Sequence, residues 1–423
     1  MGKTKNDVER MYRNMNKLIY YKLSPKIVQI NKSVTFNVAA RFEGYALDGE
    51  YSVCVIPYME YDYNCNDKTY NNEIRVTAVN NEISFEYKFE KEQQYYIIIN
   101  KIDEDGTRLL LIHDSIYALE EDLYALKPLK GDLHTHTVYS DGYITPQLIV
   151  ATAKKCGLDF LAVTDHNGYE GSVATEEECR KLGNPVTIIR GEEISSEFSP
   201  MHVLAIGTKE KIAPYEYSQE IFNEPGVIAE LDTTTNINCD KKAFVGTQRL
   251  FRKIKELGGI SFICHPMWKP LSPHKERMDT PISLILELCK NKEFDGMEVV
   301  AGSPFGEKHA TNIQELIARE ANVSFDKMPI IGTTDSHTAI VDRIFGKHYT
   351  IAFAKSESSE NIVDAIRNCM VVAVDGENEE QPLLYGNLRL CLYGYFLCST
   401  YFRERDYFAV ADGLKLLNDI KLR

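Results

Sequence analysis

No uninterrupted apolar run in this 423-residue chain approaches the roughly 20 residues that a membrane helix needs. Basic residues are also in deficit, with 48 Lys and Arg against 62 Asp and Glu and a formal charge of -14. That balance reads against a protein that coats duplex nucleic acid, whose phosphates call for a basic surface. It favours a compact substrate held at a local cationic site. Paired cysteines are missing as well. The ten cysteines include no Cys-x-x-Cys, and several, such as Cys264 and Cys289, sit in apolar settings as reduced core thiols do. The opening residues Met1 to Asp7 carry charge and no apolar signal core follows them, so the expected compartment is the cytoplasm and no membrane partner is expected. What is present is a hydrophobic content of 44%, enough for two domains with substantial cores.

Residues 1–125 are rich in Val, Ile, Tyr and Phe in short segments separated by turn clusters such as Asn80-Asn81 and Asp103 to Gly106. Ile83, Phe85, Tyr87 and Phe89 alternate with polar residues, which predicts strands buried on one face. The expectation is a small antiparallel β-sandwich without a catalytic cluster, acting as a structural or partner-contacting accessory domain.

From about residue 126 to 375 the pattern changes to short apolar strands alternating with amphipathic helices, the mark of a parallel α/β sheet or barrel with roughly seven or eight βα units. The first helix is well marked, with Thr145 placed to cap it, Pro146 in its first turn and Gly157 after its end. Another helix is predicted over Ala310–Ala321. Residues 209–245 are long for a βα loop and predict a lid, a specificity insert or a decorative excursion. Residues 376–423 form a C-terminal extension, with Leu388–Arg403 and Tyr407–Ile420 expected as a helical hairpin against the barrel or against another copy in a homo-oligomer.

The functional signal lies in where polar residues fall. A strand ends in His134-Thr-His136, and alternate strand residues face one side, so both imidazoles can reach one ion. Asp165-His166, Glu193, His265 and Asp335 with His337 each follow or end another apolar strand, and in barrels that end carries the chemistry. His202 begins its strand, so its placement with the others depends on loop geometry.

These residues stand in ordered motifs: Asp132-Leu-His134-Thr-His136 with Ser140-Asp141-Gly142, Thr164-Asp165-His166-Asn167, Gly191-Glu-Glu193, Met201-His202-Val203, Cys264-His265-Pro266 and Thr334-Asp335-Ser336-His337. On them the chain from about 130 to 375 resembles the PHP (polymerase and histidinol phosphatase) superfamily of metal-dependent phosphoesterases. The resemblance implies a distorted (β/α)7 barrel and a cluster of three divalent ions, zinc, manganese or iron. It implies His134, His136, Glu193 and Asp335 at one ion, Glu193, His202 and His265 at a second, and Asp141, His166 and His337 at a third. Asp141 replaces the His of many relatives and makes that third site richer in oxygen. Glu192 is the alternative to Glu193 as bridge.

The implied activity is hydrolysis of a small phosphorylated substrate, a nucleotide or short oligonucleotide among them, by metal-activated water. Glu193 and Asp335 are then catalytic. Asp165 either accepts a hydrogen bond that orients the site or caps a strand-end turn. Arg343, Lys269 and Arg190 are the candidate phosphate-binding cations, chosen because each follows or precedes a motif. The competing readings are a metal-dependent hydrolase of a non-phosphate bond and a non-catalytic metal-binding regulatory module. Histidinol phosphate suits the appended domain and long insert less well, and no region supports polymerisation.

Overall fold

The computed structural model describes residues 20–60, 73–267, 281–291, 293–302, 317, 319, 327–341 and 344–421. The chain divides into two compact units, Met1–Ala125 and Leu126–Arg423.

The first unit holds β1 (Tyr21–Ser24), β2 (Ile27–Gln29), β3 (Ser33–Ala40), β4 (Glu50–Pro57), β5 (Ile74–Thr77), β6 (Glu82–Lys88), β7 (Gln93–Ile102) and β8 (Arg108–Leu119). They form two sheets, β1-β3-β6 and β2-β8-β7-β4-β5. The alternation along β6 buries Ile83 and Phe85 and exposes Glu82, Ser84 and Glu86, as the period of two predicts. Phe36, Val38, Ile83 and Phe85 of one sheet share a core with Val53, Ile97, Ile99, Ile112 and Ile116 of the other. The sandwich departs from the antiparallel expectation at one pair. β2 crosses from the first sheet to the second and runs parallel to β8.

The second unit is built on one ten-stranded sheet, formed by β9 (Lys127–Asp132), β10 (Phe160–Val163), β11 (Thr187–Ser195), β12 (His202–Ile206), β13 (Ile260–Ile263), β14 (Gly296–Val300), β15 (Ile330–Gly332), β16 (His348–Ala354), β17 (Val371–Asp375) and β18 (Leu383–Gly386). Its order is β15-β14-β13-β12-β11-β10-β9-β16-β17-β18. The seven strands from β9 to β15 curl until the ends meet. Thr135 and Ser336, just past β9 and β15, form a parallel bridge, and the His136 N–H donates to the Ser336 carbonyl at 2.9 Å. Leu133, Phe160, Ala162, Ile189, Leu204, Phe262 and Ile331 fill the interior.

Two strands read as parallel βα units run the other way. β12 is antiparallel to both β11 and β13, because the connection Ser196–Met201 is too short for a crossover and can only turn the chain back. β16 lies antiparallel to β9 on the outside of the closure.

The helices follow the local signals with some shifts. Helix Pro146–Lys155 has Thr145 at its N-cap position with an extended backbone, although the Thr145 side chain makes no capping bond. Gly157 follows at φ +70, where a Cβ would strike the Asp406 carboxylate. Helix Lys241–Glu256 starts where the Asp240 side chain accepts the Ala243 N–H at 2.7 Å. The 209–245 insert is a packed layer. Ile212, Tyr217, Ile221, Phe222 and Val227 share a core with Phe244, Phe251 and Met297. The predicted helix at 310–321 falls largely outside the described residues.

The expected C-terminal hairpin is instead one continuous helical run, Leu388–Phe396, a π-turn over Leu397–Tyr401, and Phe402–Lys421. No Gly or Pro interrupts residues 401–407, and two ion pairs clamp that stretch to the barrel. Arg405 Nη1 meets Asp159 Oδ2 at 2.7 Å and Lys130 Nζ meets Asp406 Oδ2 at 3.0 Å. Among the described residues no helix is long and apolar enough to cross a membrane.

Candidate metal centre

β9, β10, β11, β13 and β15 point the same way, and the residues at their carboxyl ends converge. β12 runs against its neighbours, so its first residue, His202, lies at that same end and registers with Ser195 at the close of β11. All nine residues expected as metal ligands gather here. The structure therefore answers through strand direction the placement that the sequence left to loop geometry.

Glu193 is the hub. Its Oε2 lies 3.1 Å from His134 Nε2, 3.2 Å from His136 Nε2 and 3.3 Å from His166 Nδ1. Its Oε1 lies 2.7 Å from His202 Nδ1 and 3.2 Å from His265 Nε2. Asp335 Oδ1 completes one group, at 3.2 Å from His134 Nε2 and 3.0 Å from His136 Nε2. Asp335 sits at φ +52, an unusual conformation for a residue with a side chain, and such strain collects at functional sites. Asp141 anchors the other side, with Oδ2 at 3.3 Å from His337 Nε2 and 3.7 Å from His166 Nε2 and Oδ1 at 3.7 Å from His136 Nδ1. His134, His136, Glu193, His265 and Asp335 are buried, whereas Asp141 is 57% exposed, so the centre opens on the Asp141 side.

Two features show that the donor set suits cations. Glu193 Oε2 is buried with no hydrogen-bond partner although three imidazole nitrogens face it. His134 and His136 also bring their Nε2 atoms within 3.2 Å of each other and of Glu193 Oε2, so three donor atoms from three residues converge on one point, as ligands around an ion do. Two groups of four can each surround one ion: His134, His136, Glu193 and Asp335, and His136, Asp141, His166 and His337. His166 also groups with Glu193 and His202, so the sharing is denser than three separate ligand sets.

The electrostatics follow from burial against mutual attraction. Burial opposes charge on His134 and His136, but the carboxylates of Glu298, Asp335 and Glu193 hold His134 well above the usual imidazole value, and the carboxylates of Asp335 and Glu193 push His136 up to about 10. Burial would raise Glu193 and Asp335, yet the surrounding imidazoles hold both well below the usual carboxylate range. His166 is depressed, chiefly by burial.

Asp165 touches none of the imidazoles. Its Oδ1 accepts the Thr137 N–H at 2.8 Å and the Ser140 hydroxyl at 2.7 Å, and its Oδ2 accepts the Thr137 hydroxyl at 2.7 Å. It ties down the turn that carries Asp141. Gly142 closes that turn where a Cβ would lie 2.6 Å from the His136 carbonyl carbon. Glu192 points the other way along β11 and accepts the Ile212 N–H at 2.7 Å, under the insert. Burial pushes it up to about 7.

Of the expected substrate-binding cations, Arg190 is not at the centre. Three residues before Glu193, it turns to the outer face of β11 and pairs with Glu176 of helix Glu170–Lys181 at 2.5 Å. Arg343 and Lys269 lie outside the described residues. Two further buried side chains face the ligands: Glu298 on β14, which no sequence motif marked, and Cys264 beside His265, expected only as a core thiol. Cys264 groups with His134 and Glu298 and with Glu193 and His265, and burial holds its thiol well above the usual value. The available signal for Glu298 was a lone acid inside an otherwise apolar five-residue strand.

The sequence profile of the PHP domain matches residues 132–266, which run from the last residue of β9 past the end of β13 and include seven of the nine converging residues. An uncharacterised protein of Methanocaldococcus jannaschii is 36% identical over 149 residues, covering 33% of this chain and 68% of that protein. The chain belongs to the PHP family. This PHP chain is also 35% identical over 82 residues to the 5'-3' exoribonuclease Rnm of Salmonella typhimurium, covering 19% of this chain and 28% of the relative. It is 28% identical over 158 residues to the DNA polymerase/3'-5' exonuclease PolX of Bacillus subtilis, covering 35% of this chain and 26% of that protein. The chain thus spans little more than a quarter of the length of these two relatives. A solved two-domain protein from Bacteroides vulgatus, described as containing a PHP-like metal-dependent phosphoesterase, is 24% identical. That match covers 64% of this chain and 70% of the other, with a TM-score of 0.44.

Proposed function

We propose that this chain is a metal-dependent phosphoesterase that hydrolyses a small phosphorylated substrate, with a nucleotide or the end of a short oligonucleotide as the preferred class. The observation that carries the reading is Glu193, whose two carboxylate oxygens face five imidazoles and leave one oxygen without a hydrogen bond. His134, His136, Glu193 and Asp335 would hold one divalent ion, Glu193, His202 and His265 a second, and Asp141, His166 and His337 a third, with zinc, manganese and iron all compatible with this mixed nitrogen and oxygen set. When bound, such ions supply Lewis acidity that eases deprotonation of water and draws charge from phosphoryl oxygens.

The chain's own residues do the rest. Glu193 and Asp335 keep the buried imidazoles at fixed spacing. His337 donates its Nδ1–H to the Asp335 carbonyl at 2.9 Å, which leaves Nε2 facing Asp141. Asp165 holds the Thr137–Ser140 turn, so Asp141 stays at the open edge where a phosphate can approach. Two features favour a base-bearing substrate. Relatives over this region are named as nucleases. The loops bearing Asp141 and His337 also carry exposed Val138, Tyr139, Tyr143, Ile340 and Val341, and they are joined by a Tyr143 N–H bond to the His337 carbonyl at 2.7 Å. Exposed tyrosines offer stacking faces for bases.

The test is metal analysis of the purified chain followed by turnover of p-nitrophenyl phosphate, nucleoside monophosphates and short oligonucleotides, repeated with His134→Ala. Bound divalent metal, hydrolysis of at least one phosphate ester and loss of both in the variant are expected. Full activity in the variant at unchanged metal content would overturn the assignment.

A further inference from the structure

Glu298 occupies the middle of β14, a strand whose five residues are all buried. Its neighbours Met297 and Val299 face the core shared with the helices, so alternation turns Glu298 into the barrel. An ionised carboxylate there is costly unless both oxygens are engaged. Both are. Oε1 lies 2.8 Å from His134 Nδ1 and accepts the Thr333 hydroxyl at 2.7 Å, and Oε2 accepts the His265 N–H at 2.7 Å. One side chain therefore grips two of the candidate ligands, one through its ring and the other through its backbone.

We propose that Glu298 is a positioning residue that orients His134 and His265 for the ion cluster and couples the two arms that carry them. By accepting the Nδ1 proton it fixes the His134 tautomer, leaving Nε2, which faces Glu193 and Asp335, as the binding atom. By holding the His265 N–H it sets the turn after β13 from which that imidazole reaches Glu193 Oε1. Asp132 performs a related backbone task between β9 and β15. Its Oδ1 faces the N–H groups of His134 and Thr334, both at 3.2 Å, and touches no ligand ring. Glu298 differs because a ring proton depends on it. A strap that only joins strands would not choose a tautomer.

This inference rests on the metal-centre reading, and its test separates the two. Glu298→Gln keeps the shape but replaces one acceptor with an NH2 group, which must then face either the His265 N–H or His134 Nδ1. We expect the variant to bind Mn2+ or Zn2+ about 10- to 100-fold more weakly by titration calorimetry. In the Zn2+-loaded protein, the nitrogen NMR signature of His134 should show Nδ1–H with Nε2 bound in the wild type and a departure from that state in the variant. Thr333→Val, which removes only the hydroxyl donor to Oε1, should weaken binding by a few-fold and decides the question if Glu298→Gln does not fold. Wild-type protein that takes up no divalent ion overturns both readings. Wild-type metal binding, with affinity and tautomer unchanged in the folded variant, overturns the Glu298 role alone.

Discussion

The two units handle buried polarity differently. Among the described residues of the sandwich the buried polar side chains are few, Ser52, Asn100, Asp114 and Ser115, and the most costly of them, Asp114, pairs with Lys26. Its core is otherwise apolar, with Phe36 packed against Phe85 and Phe89 at ring separations of 5.1 and 5.9 Å. In the barrel, Asp132, His134, His136, Asp165, Glu193, His265, Glu298 and Asp335 are all buried toward one end. Burying a charged group costs several kcal/mol unless it is matched. A unit that concentrates such groups in one place is organised around what they bind, whereas one that nearly avoids them is organised around its own stability or a partner surface.

The strongest way to break this comparison is to swap the kind of damage. Glu193→Ala should lower metal affinity and phosphoesterase turnover by well over about 100-fold, more than the 10- to 100-fold typical of outer partners. Phe36→Ala should cost about 3–5 kcal/mol of sandwich stability in a denaturant titration. It should also leave metal uptake by the barrel unchanged. Metal loss in Phe36→Ala, at full folding of the barrel, would refute the division of labour.

A subtler test uses pH. His136 is raised to about 10 in the folded barrel, so its contribution to stability is complete below the unfolded value near 6.5 and is lost as pH rises from there through 10. Glu193 and Asp335 are lowered, so their contribution is present above about pH 4 and is lost as pH falls through their folded values. His113 in the sandwich is shifted the other way by burial, so that unit loses stability as pH falls below about 6.5. Amide exchange in metal-free protein should therefore show the barrel loosening as pH rises from 6.5 through 10, while the His113 effect loosens the sandwich as pH falls below about 6.5. Metal affinity should rise with pH across the first window, because ions must displace protons from the imidazoles.

Two smaller effects sharpen the picture inside the barrel. Asp165→Asn replaces an acceptor facing three donors, and it should lower turnover by about 1–3 kcal/mol in transition-state terms while sparing the buried ligand group. Metal analysis would then show preferential loss at the Asp141 side. Tyr143→Ala should reduce kcat/KM for base-bearing substrates by about 1–3 kcal/mol per stacked base and leave ribose 5-phosphate unaffected. Equal loss on both substrates would remove the stacking role.

Much of this was legible in the chain itself. Alternation in Glu82–Lys88 and the short apolar strands ending in His134, Asp165, Glu193 and His265 are local patterns, and local patterns dictate which residues face inward. The ordered motifs then identify the ligand candidates. Direction and partnership are not local. His202 joins the centre because β12 turns back, which follows from pairing at β11 and β13. Arg190 leaves it because the strand's alternation turns its side chain to Glu176. The C-terminal run is one continuous helix docked on the barrel, where Arg405 and Asp406 find Asp159 and Lys130 more than 240 residues away.

By itself, then, the order of residues determined the element types and the metal-ligating character of one barrel end, since hydrophobic period and donor chemistry are written residue by residue. Only the tertiary structure decided that Glu298 holds His134 and that Asp165 holds the Asp141 turn. A hydrogen bond depends on two groups arriving within about 3 Å, and the arrival of groups from distant strands is set by register, twist and closure of the sheet.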